Sequence, residues 1–437
     1  MVIAYQAIGR QSALDKTTDI DAVIITPVSA RRDSRVLKQG LSVARAGFRS
    51  ILFEGQCSVP PVFLPDVKVV GMGGAITQSE MPATRQGHLG RLVATLRKRV
   101  TSPNATWVEA WIGFSAYLII FIRHFVAGGL RYLPPASLYY LNEYSFFPAV
   151  WIKSRLYGAA IAYDARDFYV GIETDENKTP FQKLVARFGR MIEKRCVQRA
   201  SVFTTVGEGI AALFEREYGR RPETIHNVHD DRIDQAPPRS LRERTGLQKE
   251  ATVVVIVGQA KPGQDFSGVL RALERLPGLN VATIGNGYRE SLGAAIRSKA
   301  VEHRVHFIEN VPATEVVPLI RDADAALLVY YQRSANYKNS LPNGFFQAVA
   351  AGLPVLHSGL PEVTRLCNEF GFGAGVAPDD AEKMTELLRH VVGRSEWHGD
   401  QKRQSLQAAQ ELTWQKEEAR LQQLLIGAVR SLRANKG

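Results

Sequence analysis

SLPNGFFQAVAAGLPVLHSG, running from Ser340 to Gly359, is the stretch on which the fold turns. Its first residues place the backbone N–H groups of Leu341 to Gly344 at the start of a helix, and Gln347 falls one turn inside. Free N–H groups and the positive end of the helix dipole make such a start a holder of pyrophosphate. The helix ends at Gly352, and PVL opens a short apolar strand. A helix followed at once by a buried strand is the repeating step of a parallel sheet covered on both faces. The same residues also read as a capped helix and strand with no ligand.

Working outward, the C-terminal half alternates in the same way. ATVVVIVG, NVATIG, RVHFIENV and ADAALLVYY read as strands, with helical patterns such as Ser267 to Leu276 and Glu382 to Val392 between them. The N-terminal half forms a second series: DAVIIT, RSILFEG, Val67 to Val70, SLYYLN, AAIAYD and SVFTTV are strands, and Arg35 to Gly47 is a helix closed by a glycine. Between the halves, DDRIDQAPPRSLRERTG is polar and carries Pro237 and Pro238, a linker signal. The predicted division is 1–235, 236–400, and a helical tail 401–437 whose apolar stripe is Trp414, Leu421, Leu424, Leu425 and Val429. At 437 residues, two large domains are the expected number. Each is an α/β, Rossmann-like, doubly wound parallel sheet, and ligands of such sheets bind at the carboxyl ends of the strands. GNG at Gly285 to Gly287 follows a strand and can turn around a phosphate or simply close a loop; the longer dinucleotide pattern G-x-G-x-x-G is absent.

Composition narrows the class. Apolar residues make up 45% and charged residues 22%, as in ordinary globular proteins. The 55 Lys and Arg outnumber the 43 Asp and Glu by 12, which suits an anionic partner: a membrane, a nucleic acid or a phosphorylated small molecule. The basic residues are spread over both domains with no nucleic-acid-binding motif, so no nucleic acid is expected. Three separated cysteines, Cys57, Cys196 and Cys367, argue against a disulfide scaffold and for a reducing compartment. The start has no apolar core of signal-peptide length, and no run reaches the ~18 apolar residues of a membrane span. A cytoplasmic protein, or one held on the inner face of a membrane, is expected. Phe181 to Ala200 is amphipathic, and WIGFSAYLIIFI, Trp111 to Ile122, is the most apolar stretch, near LRKRV and beside Arg123 and His124. Both suit either an anionic bilayer surface or packing on a sheet.

Taken together, these blocks resemble the glycosyltransferase family 4-like group of GT-B enzymes (glycosyl transferases group 1). The resemblance rests on VVVIVGQAKPGQDFSGVLRAL, NVATIGNGY, VHFIENVPATEVVPLIRDADAALLVY and SLPNGFFQAVAAGLPVL in one half. In the other half it rests on SARRDSRVLKQGLSVARAGFRSILFEG, YDARDFY and SVFTTVGEGIAALFEREYG with TIHNVHD. It implies the GT-B fold, two domains facing a central cleft, with the last helix crossing back to the first domain. It further implies a nucleoside-diphosphate sugar, UDP or GDP, held by Gly258, Lys261, Gln264, Asn286, Val311, Ser340, Leu341, Asn343 and Gln347. Such a sugar is a substrate, and no permanently bound cofactor is implied. The acceptor, a saccharide and plausibly a lipid-linked intermediate of a bacterial surface polysaccharide, would meet Asp33, Arg35 and Arg166. Asp33 also reads as a helix N-cap, with Arg35 solvated. Asp167, or Glu143 at the end of SLYYLN, would be general base if configuration inverts; Asp167 reads equally as a salt-bridge partner of Arg166.

Departures from the family pattern concentrate in the donor site. Gln347 and Asn339 stand where carboxylates are common, Gly344 where many relatives have Lys, and Gln264 where a cation is usual, with Lys261 near enough to substitute. They leave two other readings open: a non-catalytic GT-B-like subunit binding a partner transferase or glycan, and a sugar-nucleotide 2-epimerase. His226 and His229 superficially form a ligand cluster with Asp230 and Asp231, but they fall at the domain junction and no metal is expected there.

Overall fold

The computed structural model describes residues 20–58, 62–72, 99, 102, 105–169, 178–261, 264–309, 311–330 and 334–434. The start of the chain and most of LRKRV therefore lie outside the described residues. The chain divides into two compact units: Met1–Thr205, Ala211–Thr224 and Glu418–Gly437 form the first, Val206–Ile210 and Ile225–Glu417 the second.

The first unit is a seven-stranded parallel sheet in the order β3-β2-β1-β4-β5-β6-β7. The strands are β1 Ala22–Thr26, β2 Ser50–Glu54, β3 Val67–Gly71, β4 Leu138–Leu141, β5 Ala160–Ala165, β6 Val202–Thr205 and β7 Glu223–Thr224. Residues of β1, β2, β4, β5 and β6 are buried throughout, as expected of strands covered on both faces. Helix α1 (Ser34–Arg45) starts at Asp33, whose carboxylate accepts from the Val36 N–H. A long helix, α2, runs from Trp107 to Tyr132. It is followed by α3 (Phe147–Tyr157) and α4 (Pro180–Arg199). Thr106 and Thr179 open α2 and α4 with capping boxes.

The second unit is a six-stranded parallel sheet, β10-β9-β8-β11-β12-β13. Its strands are β8 Thr252–Val257, β9 Leu279–Ile284, β10 Val305–Ile308, β11 Ala325–Leu328, β12 Val355–His357 and β13 Ala374–Gly375. The two faces divide by alternation along β8: Val253, Val255 and Val257 enter one apolar core, Val254 and Ile256 the other. Helix α5 (Asn343–Ala350) lies between β11 and β12 in the chain; α6 (Glu396–Glu411) and α7 (Trp414–Ala434) close it.

Three features differ from the sequence reading. The main stretch of the second unit is Ile225–Glu417, so the Pro237–Pro238 segment lies inside it. The Gln235 N–H donates to the Thr314 carbonyl (2.9 Å), and Asp234 pairs with Arg321 (3.2 Å). The tail is two helices broken at Leu412–Thr413, where Thr413 is a residue type that favours helix starts. From Glu418 onward the tail belongs to the first unit: Glu418 accepts from Ser42 (2.7 Å) and Arg45 (3.0 Å), and Leu421, Leu425 and Val429 are buried. Finally, α2 has 26 residues, and its most apolar 18-residue stretch has a mean hydropathy of 1.6, long and apolar enough to cross a membrane by length and composition alone. The sequence reading stopped at Ile122 because Arg123 and His124 interrupt the apolar run. The helix continues through them by a π-type turn over Ile122–Ala127.

Candidate active site

In the second unit the strand order reverses between β8 and β11, and this switch point is where doubly wound sheets bind ligands. Gly258 follows β8 with φ of 118°, and Gly285 follows β9 with φ of 138°. The two loops are zipped together. The Gly258 N–H donates to the Ile284 carbonyl (3.0 Å) and the Ala260 N–H to the Asn286 carbonyl (2.9 Å). The Asn286 N–H donates to Gln259 Oε1 (3.2 Å). A Cβ on Gly285 would collide with the Gly258 carbonyl oxygen, so glycine is required there.

The first turn of α5 closes the other side. No side chain caps its N-terminus, so its early N–H groups are open to a ligand. A Cβ on Gly344 would lie 2.7 Å from the Val257 carbonyl oxygen, so the turn approaches the end of β8 too closely for a side chain. That accounts for the missing lysine. Asn343 Oδ1 accepts from Asn227 Nδ2 (2.6 Å). Leu341 is buried, and Ser340 Oγ donates to the Tyr337 carbonyl (2.9 Å). Val311 packs at the rim of the core. Gln347 is half-buried and forms no side-chain hydrogen bond among the described residues. Asn339 spends its amide on the Ala335 carbonyl (2.8 Å), and its carbonyl side crowds Gly209, whose Cβ would lie 2.6 Å from Asn339 Oδ1.

Lys261 is exposed, with Nζ 5.7 Å from the centre of the Tyr337 ring, and its N–H donates to Gln264 Oε1 (2.9 Å). Gln264 Nε2 and the Tyr288 hydroxyl are buried and face each other, and neither completes a well-formed hydrogen bond among the described residues. Burial pushes the Tyr288 hydroxyl up to about 12, so it remains a donor. Leaving such donors unmatched costs about 1–3 kcal/mol each, which is tolerated where a ligand supplies the acceptor. Tyr288 and Asn227 were not singled out from the sequence. Tyr288 directly follows GNG, and Asn227 lies inside TIHNVHD; those positions were the available signals.

In the first unit, the carboxyl edge of the sheet gathers Asp164, Arg166, Asp167 and Glu143. Asp164 is fully buried and accepts four bonds: from Arg35 Nε and Nη2 (2.7 Å each), Gln39 Nε2 (2.9 Å) and Thr204 Oγ1 (2.7 Å). Arg35, expected to meet the acceptor, is 2% exposed and bidentate on Asp164, the geometry of an internal brace. Asp33 caps α1 and is ion-paired with Arg166; both are partly exposed. Asp167 is half-buried beside them.

Glu143 accepts from the Ser145 N–H (3.2 Å), and burial, outweighing its hydrogen bonds, raises its carboxyl to about 7. A carboxylate titrating near neutrality can take a proton from a hydroxyl and later release it. His226 and His229 hold separate carboxylates, Glu417 (3.0 Å) and Asp234 (2.8 Å).

Residues 239–410 match the model of the family Glycosyl transferases group 1. The Bacillus subtilis protein TuaH, named for teichuronic acid biosynthesis and glycosyl transfer, is 24% identical over 274 residues. That match covers 58% of this chain and 64% of TuaH, so it spans less than two thirds of the relative. Among solved structures, sucrose-phosphate synthase of Thermosynechococcus elongatus superposes with a TM-score of 0.65 at 15% identity, over 95% of this chain and 100% of its own. Anabaena Alr3699/HepE in complex with UDP gives 0.60 at 13% identity, over 93% and 100%. The fold is GT-B, as the resemblance implied.

Proposed function

We propose that this chain, whose residues 239–410 match the glycosyl transferases group 1 model and whose fold is GT-B, moves a sugar from a nucleoside-diphosphate sugar to a saccharide acceptor of a bacterial surface polysaccharide. The observation that carries this reading is the uncapped start of α5 at the β8–β11 switch point, in the same unit as Gln264 Nε2 and the Tyr288 hydroxyl, which are buried against each other with no well-formed hydrogen bond among the described residues. UDP is the favoured base because a structural neighbour, HepE, holds it; GDP is the other candidate.

In this reading the N–H groups opening α5 and the Lys261 ammonium take up the charge of the departing diphosphate. Gln347 bonds the ribose hydroxyls as a neutral amide. At the first unit's edge, Glu143 accepts the proton of the attacking acceptor hydroxyl while the anomeric carbon–oxygen bond to the diphosphate breaks. The hydroxyl oxygen forms the new glycosidic bond, and the nucleoside diphosphate leaves. Arg166 and Asp33, paired to each other, position the acceptor. The acceptor is lipid-linked, and the reaction takes place on the cytoplasmic face of the membrane.

The test is transfer of radiolabelled sugar from UDP- and GDP-sugars to a lipid extract by the purified chain, with products resolved. Transfer from one donor, lost in Gly344→Asp, supports the reading. Nucleotide binding with no transfer under any donor points to the non-catalytic subunit. An isomerised nucleotide sugar without acceptor points to the 2-epimerase.

A further inference from the structure

The most unusual surface in the molecule is the outer face of α2. Its inner face packs on α4: Ala110, Phe114 and Leu184 form a small core with Tyr117, Leu118 and Phe188 around it, and Phe121 and Phe188 meet edge-to-face at 5.0 Å. The outer face is apolar and open to solvent. Val108 is 70% exposed, Trp111 55%, Ile112 56%, Ile119 68% and Ile120 64%. Val108, Trp111 and Ile112 are three and four residues apart, and Ile119 and Ile120 follow seven and eight residues on, two turns later across the exposed Ser115 and Ala116, so they share one face. A contiguous exposed stripe of large apolar side chains marks an interaction surface.

We propose that this face of α2 docks on an anionic lipid bilayer, lying in the plane of its interface. Three features select lipid. Trp107 and Trp111 stand together at one end, where amphipathic rings favour the headgroup level. The one acid, Glu109, is used internally, accepting from the Thr106 N–H (2.9 Å) in the capping box. Cations flank the stripe: Arg123 and Arg131 are exposed on α2, and Arg187, Lys194 and Arg195 are exposed on α4, against which α2 packs. Such charges add attraction to anionic headgroups.

The whole helix is long enough to cross, so the uncharged stretch and the packed inner face decide between lying in the interface and crossing. Between Glu109 and Arg123 the helix carries no charge, a stretch of about 20 Å at 1.5 Å per residue. The hydrocarbon core is ~30 Å thick. The inner face is also committed to α4, and Gly129 lies against Ala149 of α3, where a Cβ would come within 2.6 Å. The proposal deepens the reading of a lipid-linked acceptor and rests on it only for its purpose, since the surface itself is read from α2.

The test is flotation of the full chain with phosphatidylcholine vesicles containing one quarter phosphatidylglycerol, and with phosphatidylcholine alone. The expected result is binding to the anionic vesicles, reduced at least tenfold in the Ile112→Glu/Ile119→Glu double variant. Both positions are exposed, so the variant should keep its melting temperature, and circular dichroism checks this. Trp107 and Trp111 should be quenched more by lipids brominated near the glycerol than at the chain end. Stabilisation by UDP, measured on the same samples, should be equal in both proteins. Failure of the docking proposal thus stays separate from failure of the donor site. The proposal is overturned by absence of flotation, by flotation indifferent to the double variant, by deeper quenching at the chain end, or by a concentration-dependent dimer that the variant abolishes.

Discussion

Replacing Arg35 with Met should destabilise the first unit severely without touching the donor site. Arg35 donates two 2.7 Å bonds to Asp164, which is fully buried. The variant leaves that carboxylate, among the described residues, with Gln39 and Thr204 as its remaining side-chain partners. Removing one member of a buried ion pair costs about 3–5 kcal/mol, because the other charge stays desolvated. For a unit of this size each kcal/mol lowers the melting temperature by roughly 2–4 °C, so a fall of about 6–20 °C is expected. The double variant Arg35→Met/Asp164→Leu removes both charges and should recover at least about 1 kcal/mol relative to additivity. Arg35→Lys should fall between, since an ammonium cannot reproduce the bidentate fork. The assay is urea and thermal unfolding at pH 7 of these three variants and of Asp164→Leu alone, which completes the cycle. A melting temperature within 2 °C of wild type for Arg35→Met, with transfer abolished, would refute the reasoning and return Arg35 to the acceptor.

Other outcomes follow from the same geometry. Glu193 is fully buried, accepts from the Tyr163 and Tyr218 hydroxyls (2.8 and 2.7 Å), and is raised by burial to about 7. A carboxyl raised above its unfolded value stabilises the fold at low pH. That stabilisation is lost as pH climbs from about 4.5 to about 7, a loss of order 3 kcal/mol for this group at 1.36 kcal/mol per pH unit. Glu193→Gln should therefore flatten the decline in melting temperature between pH 5 and pH 8; an unchanged slope would contradict this. Glu143→Gln, if Glu143 is the base, should lower kcat by 100-fold or more with donor binding intact and remove the rate limb near pH 7. Gly344→Ala should cost about 1–3 kcal/mol and weaken UDP binding, because its Cβ meets the Val257 carbonyl; calorimetric titration reads both effects. Gln347→Glu should tighten UDP binding severalfold by restoring charge-assisted bonds to the ribose, and weaker binding would argue that Gln347 does not face it.

Most of the two sheets was legible because the strands are short continuous apolar runs, such as TVVVIV in β8, which only burial on both faces explains. β7 and β13 were not legible: each has two residues, too few for a period. The loops after β8 and β9 and the start of α5 were legible from their glycines and from SLPNG, since backbone geometry leaves a mark on residue choice. The role of Arg35 was not, because its partner Asp164 is 129 positions away and nothing local distinguishes a solvated arginine from a buried one. The exposure of α2 was hidden for a related reason. A helix apolar on nearly all sides reads as core, and the outer face of α2 is left uncovered by the rest of the fold.

The central claim is that the second unit holds a nucleoside diphosphate at the start of α5. Thermal unfolding of the purified chain with UDP, GDP, ADP and CMP, with Gln347→Ala in parallel, tests it most directly. At a hundredfold excess over Kd one nucleotide should stabilise the fold by about 2.7 kcal/mol, with less in the variant. No stabilisation by any nucleotide, or a shift that Gln347→Ala leaves unchanged, would contradict it.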